Sequence, residues 1–124
     1  MPSGQAGKEN SKVSGDAAER IAEKFLLAHG MVCVERNYRS RFGEIDLIMK
    51  DGAGLVFVEV RMRKNSGFGG AGASIGHGKQ QRIIAAAQHY LSGMRTLPAC
   101  RFDALLLNDL SETSIEWVQD AFGT

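Results

Sequence analysis

Glu44, Asp46, Glu59 and Arg61 are the residues of this chain whose types and spacing could do chemistry. They lie in two short runs, Gly43-Glu44-Ile45-Asp46-Leu47-Ile48 and Phe57-Val58-Glu59-Val60-Arg61, separated by the turn signal Asp51-Gly52-Ala53-Gly54. Ile45, Leu47 and Met49 alternate with Glu44, Asp46 and Ile48. Val56, Val58 and Val60 alternate with Phe57, Glu59 and Arg61, so both runs have the period of a strand and together predict a β-hairpin. With Asp51 to Gly54 as its loop, Lys50 faces Leu55, Asp46 faces Glu59 and Glu44 faces Arg61. The facing carboxylates of Asp46 and Glu59 then stand roughly 5 Å apart. Like charges in that position destabilise a sheet, so the pair calls for a cation, either a metal ion or the neighbouring Arg61.

Acids on the wet face of a half-exposed hairpin are commonplace and need no function. Here, however, Val56, Phe57, Val58 and Val60 make an almost continuous apolar run, which suits a central strand covered on both faces. An acid in such a strand is costly unless it is paired or metal-bound.

The elements that must position these residues can be read along the chain. Residues 1–13 hold almost nothing to bury and are expected to form a disordered N-terminal tail, leaving 14–124 as one domain. Ser14 is the expected N-cap of a helix that carries Ala18, Ile21, Ala22, Phe25 and Leu26 on one stripe and stops at Gly30. Glu19 borders that stripe, within reach of the core edge. Met31 to Val34 predicts a first strand, and a basic segment, Arg36 to Arg41, leads into the hairpin. A second helix is expected over Lys79 to Met94, with Ile83, Ala86, Ala87, Tyr90 and Met94 on one face. Lys79 falls on the side of Ile83, Ala86 and Tyr90, where a cation at a helix N-terminus opposes the macrodipole unless something anionic holds it. Arg101 to Leu107 and Ile115 to Val118 predict two further strands. The expected fold is α/β, a single-domain mixed β-sheet flanked by two helices in the order αβββαββ.

Several function classes drop out. Gly67, Gly69 and Gly72 spell G-x-G-x-x-G after a strand, but no helix follows directly and no acid stands about 20 residues on to hold a ribose. Gly78-Lys79 is not a Walker A end, because Ala73 and Gln80 occupy the places of glycine and Ser/Thr. The glycine-rich stretch reads instead as a loop. Cys33 and Cys100 form no Cys/His cluster and are expected as reduced core residues rather than zinc ligands. No run approaches the ~20 apolar residues of a membrane span and residues 1–13 lack a signal-peptide core, so the expected location is cytoplasmic. The net charge of +1 gives no global pull toward nucleic acid. Locally, Arg36, Arg39, Arg41, Arg63 and Lys64 form a basic rim around the hairpin that could contact phosphates.

Glu19, Asn37, the Gly43-Glu44-Ile45-Asp46-Leu47-Ile48 block, Phe57-Val58-Glu59-Val60-Arg61, Lys79, Arg101-Phe102-Asp103 and the closing Ala121-Phe122 together resemble the YraN family of small bacterial endonuclease-like proteins. That family is similar to the restriction-endonuclease-like PD-(D/E)XK superfamily, which includes archaeal Holliday-junction resolvases. The resemblance implies a Mg²⁺- or Mn²⁺-dependent endonuclease hydrolysing phosphodiester bonds in DNA, with branched structures as substrates. It makes Asp46 and Glu59 the metal-binding acids, Glu19 an accessory acid and Lys79 an auxiliary cation. It implies no membrane partner and leaves room for a homodimer. Arg61 stands where the superfamily motif has lysine. Arginine keeps the charge but cannot take a proton from water, so a nuclease fold that only binds DNA or assembles with partners is the alternative.

If the missing lysine limits the reaction, Arg61→Lys raises the rate of DNA cleavage by ~10²-fold, the scale of acid–base catalysis, at unchanged affinity for DNA and Mg²⁺. A native protein that cuts efficiently and is slowed by the same change would instead make Arg61 a clamp on the phosphate.

Overall fold

The computed structural model describes residues 3–62, 75–110 and 114–123, with side chains from 15 onward. The elements are α1 (Ser3–Ala28), β1 (Val32–Ser40), β2 (Gly43–Asp51), β3 (Gly54–Met62), α2 (His77–Leu91), β4 (Cys100–Leu107) and β5 (Ile115–Phe122), the expected order αβββαββ. They build one five-stranded sheet in the order β1-β2-β3-β4-β5. Only β3 and β4 run parallel, as a pair joined through a helix must, and α2 is that crossover.

The hairpin register follows from the turn. Gly52, at φ 62°, takes the positive-φ place of a two-residue loop, so Asp51 already pairs with Gly54 and the turn is tighter than the Asp51–Gly54 loop expected. Lys50 pairs with Leu55 as expected, and the ladder runs on to Leu47 and Val58. It ends one step short of Asp46 and Glu59. The β2–β3 ladder does not extend to Glu44 and Arg61, and Glu44 pairs with Arg39 on β1.

Each face of the sheet carries its own core. Ala18, Ala22 and Leu26 of α1 pack on Leu47, Met49, Val56, Val58, Leu105 and Leu107. Ile83, Ala86 and Ala87 of α2 pack on Ile45, Ile48, Phe57 and Phe102. Strand β3 lies between the two, which is why it reads as a continuous apolar run. Strand β2 breaks the expected alternation: Ile45 sits with Ile48 on the α2 side while Leu47 and Met49 face α1. The pleat therefore slips at Asp46. Gly43 lets the start of β2 lie on α2, since a Cβ there would stand 2.8 Å from the Arg82 carbonyl oxygen.

Some boundaries differ from the sequence expectations. Helix α1 begins at Ser3, so the expected cap, Ser14, lies inside it; the expected tail over 1–13 has no described side chains. Strand β1 takes in the basic segment through Ser40, and β5 continues to Phe122. Helix α2 starts at His77 and ends at Leu91, leaving Met94 41% exposed. Cys100 is exposed rather than in the core, and both cysteines are free. Most of the glycine-rich stretch, residues 67–74, falls outside the described residues, as do Arg63 and Lys64. Among the described residues no helix is long and apolar enough to cross a membrane.

Asp103 explains the extension of β5. Fully buried, it accepts hydrogen bonds from Arg101 Nε at 3.0 Å, Trp117 Nε1 at 2.9 Å and the Asp120 backbone N–H at 2.9 Å. It sits where the β4–β5 register shifts between Phe102 and Ala104, so its carboxylate replaces the backbone partners that the bulge removes.

The contact at Gly43 is checkable. Gly43→Ala forces β2 off α2 and costs about 1–3 kcal/mol, the usual penalty of overpacking. Urea denaturation that shows no loss of stability would mean that the backbone at this contact yields freely.

Candidate functional site

Where β2 and β3 part, backbone pairing gives way to side chains. The Val60 N–H donates to Asp46 Oδ2 at 2.9 Å, so a carboxylate takes the place of the β2 backbone. Asn37, which the β1–β2 register puts opposite Asp46, has a φ of 51°. Asparagine tolerates this left-handed conformation better than most residues, and it lets β1 follow the slip in β2. The slip turns the Asp46 side chain across β3.

Glu59, just past the last β3 residue that pairs with β2, is only 3% exposed. Alternation puts it on the α2 side after Phe57, and Lys79 in the first turn of α2 brings Nζ to 3.1 Å from Glu59 Oε2. The ammonium stands at ion-pair distance from the carboxyl, yet Oε2 has no hydrogen-bond partner among the described residues. Burial first, then the hydrogen bond and charge of Asp46, push the Glu59 carboxyl up to about 8 against the opposing pull of Lys79. That shift favours the protonated form of Glu59. Glu19 approaches Asp46 from α1. Burial and then the Asp46 charge push its carboxyl above the usual range, while the Asn37 side chain pulls it back down. Glu19 and Asn37 also line a cavity of about 340 Å³ with Asp16, Arg20, Glu23 and Arg36.

Of the residues singled out in the sequence, Glu19, Asp46, Glu59 and Lys79 are thus linked in a row: Asp46 acts on both Glu19 and Glu59, and Glu59 meets Lys79. The cation set against the acids is Lys79, not Arg61. Arg61 is half-buried two residues beyond Glu59 and has no acidic partner among the described residues. The basic rim is less uniform than expected. Arg36 makes a bidentate pair with Glu23 at 2.6 Å, Arg39 lies 3.4 Å from Glu44, and the Arg41 guanidinium lies over the Phe42 ring at 5.0 Å. Among the described residues no group of three or more His, Cys, Asp or Glu side chains is close enough to hold a metal ion. Any metal here would rest on the two carboxylates of Asp46 and Glu59.

Sequence reasoning gave Asn37 no task of its own, although an asparagine between strand residues is a usable signal for a left-handed break. Asp103 was equally readable as an acid inside the run Phe102 to Leu107.

The model of the uncharacterised protein family UPF0102 matches residues 18–107, a span that includes Glu19, Asp46, Glu59 and Lys79. The chain belongs to UPF0102. A UPF0102 protein of Nitrosospira multiformis is 58% identical over 90% of this chain and 93% of its own length. Relatives in Methylobacillus flagellatus (55% identity, 90% of this chain and 97% of theirs) and Nitrosomonas europaea (51%, 87% and 92%) match over nearly the same extent. The YraN-like resemblance read from the sequence is thus borne out as family membership. The relatives' names carry no activity, so the chemistry of this UPF0102 member rests on its site.

That site predicts an unusual pH dependence. An acid whose folded pKa lies above its unfolded value near 4.5 binds its proton more tightly in the native state. Its contribution to stability is full below pH 4.5 and is lost as pH rises through about 8. The metal-free protein should therefore melt at progressively lower temperature from pH 5 to 8, and Glu59→Gln, which needs no proton, should flatten that slope and melt higher at pH 8. Parallel melting curves for the two proteins would show that Glu59 is not held protonated.

Proposed function

We propose that this protein is a metal-dependent endonuclease that acts in the cytoplasm on DNA, with branched or otherwise structured DNA as substrate. The observation that carries this reading is the contrast between two buried acids on neighbouring strands. Asp103 on β4 has an arginine, an indole and a backbone N–H as donors, as a structural acid should. Glu59 on β3 is pressed against a second carboxylate with one oxygen lacking a hydrogen bond. A strained acid pair at the opening between two strands is the kind of perturbation that functional sites retain.

The donor set fits a hard divalent cation. Mg²⁺ is commonly held by one or two carboxylates, with water and substrate phosphate completing its shell, and Mn²⁺ accepts the same oxygen ligands. Asp46, fixed through Oδ2 by the Val60 N–H, offers its other oxygen, and Glu59 offers Oε2 once its proton leaves. When bound, the metal would polarise the scissile phosphate and lower the pKa of water. The chain's own residues supply the rest. Lys79, 3.1 Å from Glu59 and partly exposed, is placed to orient a phosphate oxygen or a water beside the acids. Glu19 stands as a third acid on the α1 side. Arg61 keeps a permanent positive charge two residues from Glu59 and so serves to hold phosphate, not to carry a proton.

Arg61 also favours a second reading, a DNA-binding module that has lost cleavage along with the motif lysine. Metal separates the two. The native protein should bind Mn²⁺ by calorimetry, more tightly as pH rises toward 8 because Glu59 must release its proton, and Asp46→Asn should weaken binding by at least ~10-fold. It should also cleave at least one of a panel of branched, flapped and linear DNAs with Mn²⁺ present. DNA binding that ignores divalent metal would establish the binding module instead.

A further inference from the structure

Phe42 stands outside all of this chemistry. It occupies the tip between β1 and β2, is 40% exposed, and belongs to neither core. A single exposed phenylalanine is ordinary. This one is held out by its surroundings. Ser40 Oγ accepts the Phe42 N–H at 3.1 Å and donates to the Gly43 carbonyl at 3.2 Å, which closes the turn. Gly43 seats the tip directly on the α2 backbone at Arg82. The ring then rests at 5.5 Å from His89 of α2, with the Arg41 guanidinium over it at 5.0 Å. Arg82, whose backbone Gly43 touches, is exposed, and so is Arg39, which stands two residues before Arg41 and lies 3.4 Å from Glu44. A rigid tip that presents an aromatic ring among arginines has the two parts of a stacking platform for unpaired nucleic acid: a π-face for a base and cations for its phosphates.

We propose that Phe42 and Arg41 form a platform that stacks an unpaired DNA base beside the cleavage site. The proposal rests on the DNA reading above and deepens it, because it names the feature by which a substrate is chosen: an unpaired base about four base-pair rises from the scissile phosphate. The distance suits the role. Four residues of extended chain separate Phe42 from Asp46, about 13 Å, or about four base-pair rises along a duplex. A base stacked on Phe42 would lie just past the end of a short paired stretch that reaches the acids.

The test compares two labelled DNAs by fluorescence anisotropy in EDTA, so that nothing is cut: a blunt duplex, and the same duplex with a single-stranded thymine tail. The native protein should bind the tailed DNA more tightly. Phe42→Ala should weaken tailed binding by about 5- to 100-fold, the range one base–aromatic stack supplies, and leave duplex binding within about twofold. Phe42→Trp, which keeps a π-face, should retain the preference. Equal losses on both DNAs, no loss on either, or a Phe42→Trp protein as defective as Phe42→Ala would overturn the platform while leaving the DNA reading intact. A native protein that binds neither DNA would remove the DNA reading, and the platform with it.

Discussion

The hydrogen bond from the Val60 N–H to the Asp46 carboxylate is the contact on which the site depends. In a regular ladder that N–H would find a carbonyl on β2, and the two strands would close against each other. With a carboxylate as acceptor, pairing stops at Leu47 and Val58, the pleat of β2 slips, and Ile45 moves to the α2 side of the sheet. Asn37 accommodates the same slip on β1 through its left-handed backbone. One side chain thus satisfies a part-buried donor and stands between Glu19 on one side and the Glu59–Lys79 pair on the other.

The rest of the fold makes that arrangement costly enough to be informative. Strand β3 is covered by α1 on one face and α2 on the other, so Glu59 has little water to solvate its charge. Lys79 offsets part of the penalty, but Oε2 has no hydrogen-bond partner among the described residues, and the Asp46 charge works against the lysine. Asp103, one strand away, shows what the same sheet does with an acid kept for structure: it surrounds the carboxylate with donors from β4 and β5. Burial is common to both acids. Only the supply of donors differs.

Helix α2 links the catalytic candidates to the tip of the β1–β2 turn. Its first turn carries Lys79 to Glu59, its middle meets Gly43 at Arg82, and His89 near its end lies against Phe42. One helix thus touches both the acid pair and the exposed aromatic. Arg36, by contrast, is held on α1 by Glu23 and sits on the other side of the sheet opening.

Much of this was legible in the residues themselves. Alternation and a turn signal placed the hairpin and its register as far as Lys50 and Leu55. The apolar run through Phe57 marked β3 as central, and the helical period of Ile83, Ala86 and Tyr90 put Lys79 on the side that meets Glu59. These are local patterns, set by the two-residue period of a strand and the 3.6-residue period of a helix. What the sequence could not decide was where the period fails. Ile45 keeps its place in the alternating pattern, yet it packs on the opposite core, because a tertiary contact, Asp46 with Val60, outweighs one step of the ladder. The same holds for charge. Arg61 is the nearer cation to Glu59 along the chain, but Lys79 is the one that reaches it, since α2, the crossover from β3 to β4, passes back over the sheet. Sequence spacing determined which residues share a strand or a helix face; only the packing of helix on sheet decided which charges meet.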